Sequence, residues 1–257
     1  MNTKHLTVFA VVAVLITAGA VGTVALANHS WGGYHWARTA NPLVLKIGDN
    51  VSAGWDSYLA TASTDWSTST VLDTTVVPGL AKPKNCRATA GRVEVCNSKY
   101  GKNGWLGIAS IWISGTHITQ GTVRLNDTYF ATAKYNTPAW KNLVACQEIG
   151  HTLGLDHQDE IFDNLNLGTC MDYTNDPSTN QHPNLHDYEM LEIIYEHLDS
   201  FTSATNTVAS RGNKNVDTEN PSEWGKSIRT SRDGKSSLFE RNLGNGEKLF
   251  TFVIWAE

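Results

Sequence analysis

The sequence predicts an α+β domain with a twisted mixed β-sheet, a long helix that carries a candidate site, a closing C-terminal helix and a β-hairpin. Three observations predict this class. Strand and helix patterns alternate through the first two thirds of the chain. One helix has clear start and stop signals at residues 137–138 and Gly154. A Gly-Asn-Gly turn at residues 244–246 separates two strand-like runs near the C-terminus.

Strand-like runs define the sheet. We expect four strands before the hairpin, at residues 43–47, 71–77, 105–113 and 118–126. The third is apolar on both faces, as in a central strand. The fourth alternates Val123 and Leu125 with Arg124 and Asn126, which is typical of a sheet edge. Between the second and third strands, the polar residues 82–104 predict a long surface loop.

Apolar residues at helical spacing predict three helices. The first covers residues 53–66 after a Ser52 cap. The second begins at the Thr-Pro pair 137–138 and ends at Gly154, because glycine readily adopts the left-handed turn after a helix. The third covers roughly residues 187–198.

A basic start, an uncharged apolar run and an Ala-Leu-Ala end predict a secretory signal peptide over residues 1–27. An uncleaved anchor is the alternative, because the apolar run is almost long enough to span a bilayer. We expect a secreted protein with no stable membrane association after cleavage. Residues 28–198 form the main domain, and residues 199–222 are a linker-like coil. The hairpin segment 223–257 packs back on the main domain, with a small binding appendage as the alternative.

Composition narrows the classes of partner and the compartment. The formal net charge of −5 is spread along the chain, so there is no basic patch for nucleic acid. Four cysteines after the signal segment predict two disulfides, for which three pairings are possible. Cys86 and Cys96 flank a short polar loop that a disulfide between them would close.

Residues 147–157 read Gln-Glu-Ile-Gly-His-Thr-Leu-Gly-Leu-Asp-His. On a helix, positions 147 and 151 lie on one face, whereas Glu148 is offset by one residue and can reach a water without being a ligand. Gly154 lets the chain bend so that His157 returns towards His151. Imidazole nitrogen is a preferred zinc ligand, so the spacing predicts a zinc site with a carboxylate beside it.

This pattern resembles the signature His-Glu-x-x-His-x-x-Gly-x-x-His of the metzincin clan of zinc endopeptidases, with Gln147 in place of the first histidine. The segment Thr-Cys-Met-Asp-Tyr-Thr at residues 169–174 resembles the methionine turn of that clan. The order of elements over residues 43–198 is similar to that of the matrixin-type catalytic domain.

The resemblance implies a role for each matching residue. Zn²⁺ would be bound by His151, His157 and Gln147. Glu148 would be the general base and Met171 the hydrophobic floor beneath the metal. Tyr173 corresponds to a tyrosine that lies near the metal in some members of the clan, and a core aromatic is the alternative interpretation.

The same resemblance implies how the chain is cross-linked and how it binds substrate. Because the methionine turn lies against the active-site helix, it implies a Cys146–Cys170 disulfide and hence Cys86–Cys96. A peptide or protein substrate would add as a strand to the predicted edge, at Thr122, Val123 and Arg124. We expect the protein to act as a monomer.

Gln147 leaves two functions open. Its amide oxygen is a weak neutral donor compared with imidazole, although it can coordinate a metal. A further ligand could come from one of three other histidines: His117, His182 and His186. The alternative interpretation of each is a surface histidine that binds no metal. The chain is therefore either a secreted zinc endopeptidase or a catalytically impaired relative that acts as an extracellular binding module. Under the second hypothesis, the protein would bind its partner through the peptide groove, the hairpin, or Trp31 and Trp36.

A calcium-stabilised protein is a third hypothesis. It depends on a run of acidic and amide side chains that follows the signature: Asp159, Glu160, Asp163, Asn164 and Asn166. Their spacing fits no EF-hand loop, so we expect solvated loop residues.

Overall fold

The computed structural model describes residues 29–205 and 216–256. The predicted signal peptide and residues 206–215 of the predicted coil lie outside the described residues. Within them, nine strands belong to one mixed sheet, which confirms a mixed α/β class. The strands are β1 (His35–Trp36), β2 (Leu43–Asn50), β3 (Leu72–Pro78), β4 (Val93–Ser98), β5 (Trp105–Ser114), β6 (His117–Asn126), β7 (Lys226–Thr230), β8 (Ser236–Gly244) and β9 (Glu247–Trp255). The α-helices are α1 (Asp56–Trp66), α2 (Asp127–Phe130), α3 (Pro138–Thr152) and α4 (Leu185–Ile194).

The sheet has the order β3-β2-β4-β6-β5-β9-β8-β7, and the short strand β1 also pairs with β6. Strands β3, β2, β4 and β6 run parallel. Strand β5 runs antiparallel to both of its neighbours, β6 and β9. The sheet therefore joins a parallel half, built from the first part of the chain, to an antiparallel half completed by the C-terminal strands.

Helices α1 and α3 pack against each other and against the sheet, and α3 contacts both β5 and β6. The fully buried Trp66 of α1 donates its indole N–H to the carbonyl of Cys146 in α3, at 3.1 Å. Thr137 caps α3 through its side chain, as the sequence predicts. Gly154 follows the helix with φ of +102°, and a Cβ there would lie 2.3 Å from the carbonyl oxygen of Tyr34. The chain can therefore turn directly after α3 and lead His157 back towards it.

The predicted edge strand is an interior strand, and this prediction was wrong. Strand β6 lies between β4 and β5, so it offers no free edge for a peptide. Thr122, Val123 and Arg124 are all buried. The polar residues of its alternating pattern have internal partners. Arg124, for example, donates to the carbonyl of Asn85 at 2.6 Å.

Three strands, the short helix α2 and two helix boundaries differ from the prediction. Strand β4 lies within residues 82–104, which were predicted to be a surface loop. Its polar residue Glu94 can be buried because Arg92, at 3.0 Å, neutralises the carboxylate. The short strands β1 and β7 have no clear pattern of their own. Helix α1 starts after Trp55 without a side-chain cap, so Ser52 does not cap it. Helix α4 ends at Ile194, and Leu198 is exposed.

Both expected disulfides are present. Cys86 is bonded to Cys96 and Cys146 to Cys170, with Cα–Cα distances of 5.9 and 6.0 Å. Disulfides of this kind persist in oxidising compartments, so they are consistent with an extracellular protein. Over residues 29–205 and 216–256, each helix is too short or too polar to cross a membrane.

The expected C-terminal hairpin consists of β8 and β9, and β9 pairs with β5 along almost its whole length. Strand β7 adds to the outer side of β8. We refer to β7, β8 and β9 as the C-terminal cover. It continues the main sheet beyond β5, so the strand that would otherwise be the sheet edge has partners on both sides.

Candidate functional site

The signature residues meet at the end of α3, in the interior of the protein. Gln147, Glu148 and His151 are each 1 % exposed, and His157 is 9 % exposed. The Nε2 atoms of His151 and His157 lie 3.0 Å apart. The predicted return of the chain after Gly154 therefore brings the two imidazoles together.

The orientation of the two rings suits a bound cation. Nδ1 of His151 lies 2.9 Å from the carbonyl oxygen of Leu155, which can only accept, so Nδ1 carries the proton and Nε2 a lone pair. Burial, and then the neighbouring His157, hold the pKa of His151 well below its usual value, so this ring is neutral. Nδ1 of His157 faces the Asp156 carboxylate at 3.4 Å. Such partners on Nδ1 are typical of metal-binding histidines.

The distance between the two imidazoles also fits zinc. Two nitrogens bound to one tetrahedral zinc ion at its usual bond length are about 3.3 Å apart. The observed 3.0 Å between the Nε2 atoms is close to this value. Without a cation, only a proton on Nε2 of His157 could hold these two atoms at such a distance.

Gln147 has a different partner from the one expected. Its side-chain Nε2 donates to the carbonyl oxygen of Cys170 at 2.8 Å. The amide thus joins α3 to the segment that contains Met171, beside the Cys146–Cys170 disulfide. This contact gives Gln147 a structural role whether or not its oxygen also meets a metal.

Glu148 lies against β5. Its carboxylate accepts a hydrogen bond from the backbone N–H of Ala109. Burial nevertheless raises its pKa well above the usual value, and Oε2 has no hydrogen-bond partner among the described residues. A Cβ at Gly107 would lie 2.5 Å from Oε1 of Glu148, so only glycine leaves room for this carboxylate. Position 107 is a site residue that the sequence pattern did not reveal.

Met171 and Tyr173 both lie at the site, as the methionine-turn resemblance implies. A Cβ at Gly150 would lie 2.6 Å from the sulfur of Met171, so the methionine packs directly on α3. The ring of Tyr173 lies 3.9 Å from that of His157 and is stacked on Phe162 at 4.5 Å. Burial raises the pKa of Tyr173 well above its usual value, and its side chain is hydrogen-bonded to Ser236 in β8.

The C-terminal cover closes the site. Phe252 of β9 is stacked on His151, with ring centroids 4.1 Å apart and planes at 8°. The gap left beside His157, between Tyr173 and Phe252, is too small for a water molecule. Trp31 packs on Phe252 from the N-terminal segment. Trp31 and Trp36 are therefore core residues rather than an exposed binding surface.

An ion-paired cluster fastens the cover to the loop that carries His157. The guanidinium of Arg229 in β7 donates to both carboxylate oxygens of Asp156, one of them at 2.7 Å from Nη1, and lies 2.9 Å from Glu160. Burial alone would raise the pKa of Asp156. His157 and Arg229 outweigh it and hold this pKa well below its usual value. Asp156, His157 and Glu160 are close enough to form a cation site, but Arg229 already supplies the positive charge.

The remaining histidines have other partners. His117 lies 3.0 Å from Asp199, His182 lies 2.7 Å from Asp65, and His186 is stacked on His29. None of these contacts brings them to the signature pair.

The acidic segment after the signature is held by local hydrogen bonds. Asp159 accepts from Ile161 and Asn164, as in an ordinary loop.

No protein-family model matches the chain, and no curated protein sequence matches it significantly.

We expect the native protein to protect His151 from diethyl pyrocarbonate, while the exposed His182 and His197 react. Replacing Phe252 with alanine removes the stacked ring, so His151 becomes reactive. The same change lowers the free energy of unfolding by about 3–5 kcal/mol, the usual cost of truncating a core phenylalanine. Peptide mapping by mass spectrometry measures the modified histidines.

Phe239→Ala is the matched control, because Phe239 belongs to the cover but packs on Trp224 in a separate cluster. It should leave His151 protected. Reaction of His151 in the native protein as fast as that of His182 would contradict the closed site.

Proposed function

We propose that the chain is a secreted, metzincin-like zinc endopeptidase that its own C-terminal cover holds in a closed form. The observation that carries the proposal is the facing pair of oriented imidazoles, His151 and His157, with Glu148 beside them. Metal-dependent hydrolysis needs metal ligands, which the two imidazoles would supply, and a general base, which Glu148 would supply. The disulfides and the apolar N-terminal segment support secretion.

The sheet supports the metzincin-like part of the proposal. The main-domain strands follow the order β3-β2-β4-β6-β5, and α3 crosses behind β5 and β6. Met171 packs beneath α3, and the Gln158 N–H donates to the Met171 carbonyl at 2.7 Å. The methionine segment thus lies against α3, as the resemblance to this clan implies, and is also hydrogen-bonded to the His157 loop.

His151 and His157 would hold the zinc ion through Nε2, with Gln147 as a weak third donor. A bound zinc ion would polarise a substrate carbonyl and make water more acidic. Glu148 is placed to accept a proton at its carboxylate. In the closed form, burial keeps its pKa high and disfavours the basic form. Opening the site would let solvent lower this pKa and so activate the base.

The cover occupies the position that a peptide substrate would need. With β6 in the sheet interior, β5 is the strand whose edge lies beside Glu148, through Gly107 and Ala109. Strand β9 pairs antiparallel with this edge, in the manner of an added peptide strand. We therefore assign substrate binding to β5 and propose that β9 takes the place of an extended peptide or protein substrate. The enzyme acts as a monomer in this account.

A second function is favoured by a specific observation. The Gln147 amide is engaged with the Cys170 carbonyl, and Phe252 covers His151. A protein that has given up catalysis could keep both contacts as core packing. It would then act as an extracellular binding module with a metzincin-like fold.

Zinc binding and cleavage separate the two functions. We expect the purified protein to bind zinc and to cleave an unfolded protein such as casein, with cleavage lost in Glu148→Gln. Gln147→His should tighten zinc binding about tenfold or more, because imidazole is the better donor. Metal analysis, calorimetry and a cleavage assay measure these quantities.

Glu148→Gln keeps the size of the side chain and serves as the catalytic control. If the protein binds no zinc and shows no Glu148-dependent cleavage, the peptidase proposal fails and the binding module remains. Cleavage that persists in Glu148→Gln would come from another protease.

Arg229→Ala tests the closing role of the cover. The substitution removes the ion pairs to Asp156 and Glu160 and should destabilise the cover by about 1–2 kcal/mol, since Arg229 is partly exposed. A loss of 1.4 kcal/mol corresponds to about tenfold more of the open form. Glu148-dependent cleavage should rise by a similar factor.

Arg232→Ala, in the turn after β7, is the control, because Arg232 is exposed. Its cleavage rate should equal that of the unmodified protein. An active protein whose rate is unchanged by Arg229→Ala would show that the cover does not restrain the enzyme.

A further inference from the structure

We propose a second divalent-cation site, separate from the signature pair, formed by His35, His117, His197 and Asp199. It joins three parts of the chain: β1, the start of β6 and the segment after α4. The proposal goes beyond the proposed function and does not depend on it.

Three donor groups, from His35, His117 and Asp199, converge on one point, and His197 lies beside them on the Asp199 carboxylate. The Asp199 carboxylate lies 3.0 Å from Nε2 of His117, 3.5 Å from Nε2 of His197 and 3.7 Å from Nε2 of His35. The donor atoms of His35, His117 and Asp199 all lie within 4.8 Å of one another. Donors on a tetrahedral zinc ion are about 3.3 Å apart, within the range of these carboxylate distances.

The hydrogen bond of His35 fixes which of its ring nitrogens faces Asp199. Nδ1 of His35 lies 2.9 Å from the carbonyl oxygen of Gly33, which can only accept, so Nδ1 carries the proton. In the neutral ring, Nε2 then presents a lone pair to the Asp199 carboxylate. Nε2 is buried and has no hydrogen-bond partner among the described residues. Two acceptors that face each other in the protein interior are stabilised by a cation between them, either a proton on Nε2 or a metal ion.

The surroundings orient the donors without filling the site. Asp199 is held by the backbone N–H of Arg38, which donates to Oδ2 at 2.9 Å, and its own N–H donates to the Arg38 carbonyl. The rings of His117 and His197 each meet His35 edge to face, at 4.8 and 4.9 Å. The His35 and Asp199 side chains are largely buried, whereas that of His197 is 53 % exposed. A metal ion can therefore enter from solvent on the His197 side.

Three imidazoles and one carboxylate are a donor set that suits Zn²⁺ better than Ca²⁺ or Mg²⁺, which prefer oxygen. With the exposed His197 drawn in as the fourth ligand, no position stays open for a substrate, so the site would be structural. It would reinforce β1, which has only two residues, and so hold the N-terminal segment. That segment meets the end of α3, where the Trp31 N–H donates to the Gly154 carbonyl at 3.0 Å.

The test uses the full chain with His157→Asn, which removes a donor of the first site. Titration with ZnCl₂ should show one zinc ion bound per chain and a raised thermal midpoint. Adding His117→Ala or His197→Ala should weaken this binding about a hundredfold, at the upper end of what even outer-shell partners cost.

His182→Ala is the matched control, because His182 makes a similar pair with Asp65 on the surface without further histidines. It should leave zinc binding unchanged. His197 is exposed enough for its replacement to keep the fold, which circular dichroism verifies. The proposal is overturned if the His157→Asn protein binds no zinc, or if folded His197→Ala protein binds it as tightly as the His157→Asn parent.

Discussion

The pairing of β9 with β5 determines the surroundings of the signature residues. It turns the β5 edge into the middle of a sheet and lays Phe252 flat on His151. Phe252 contributes to the burial that keeps His151 neutral and lines the closed gap beside His157. Arg229 then fastens the outer strand of the cover to the loop that carries His157. The electrostatics of the site are thus set largely by residues far along the chain from the signature.

The structure also gives Gln147 a second role, in addition to that of a candidate metal ligand. As a metal ligand it would be the weakest of the three, but as a hydrogen-bond donor to Cys170 it holds α3 against the methionine segment. Imidazole at this position would bind metal better and would give up the amide contact. The Cys146–Cys170 disulfide joins the same two elements. The site therefore combines a firm structural support with a reduced set of strong metal donors.

Local signals in the sequence predicted local structure well. The Thr137 cap, the turn at Gly154 and the hairpin around residues 244–246 each depend on a few neighbouring residues, and the structure contains all three. The return of His157 to His151 follows from the same local geometry.

Long-range pairing could not be predicted in the same way. The alternation in β6 indicated an edge, because a sequence does not show that Arg124 has a backbone partner in a distant loop. Strand β4 was missed because Glu94 is a charged residue neutralised by its own neighbours. Nothing near Arg229 or Phe252 marks them as site residues, and their roles exist only once the cover has paired with β5.

Anomalous diffraction at the zinc edge, from crystals of the full protein grown with zinc, shows whether His151 and His157 bind a metal ion together. We expect a peak about 2.1 Å from Nε2 of both His151 and His157, beneath Phe252. The absence of a peak there, with the two imidazoles still in direct contact under saturating zinc, would contradict the proposed zinc site.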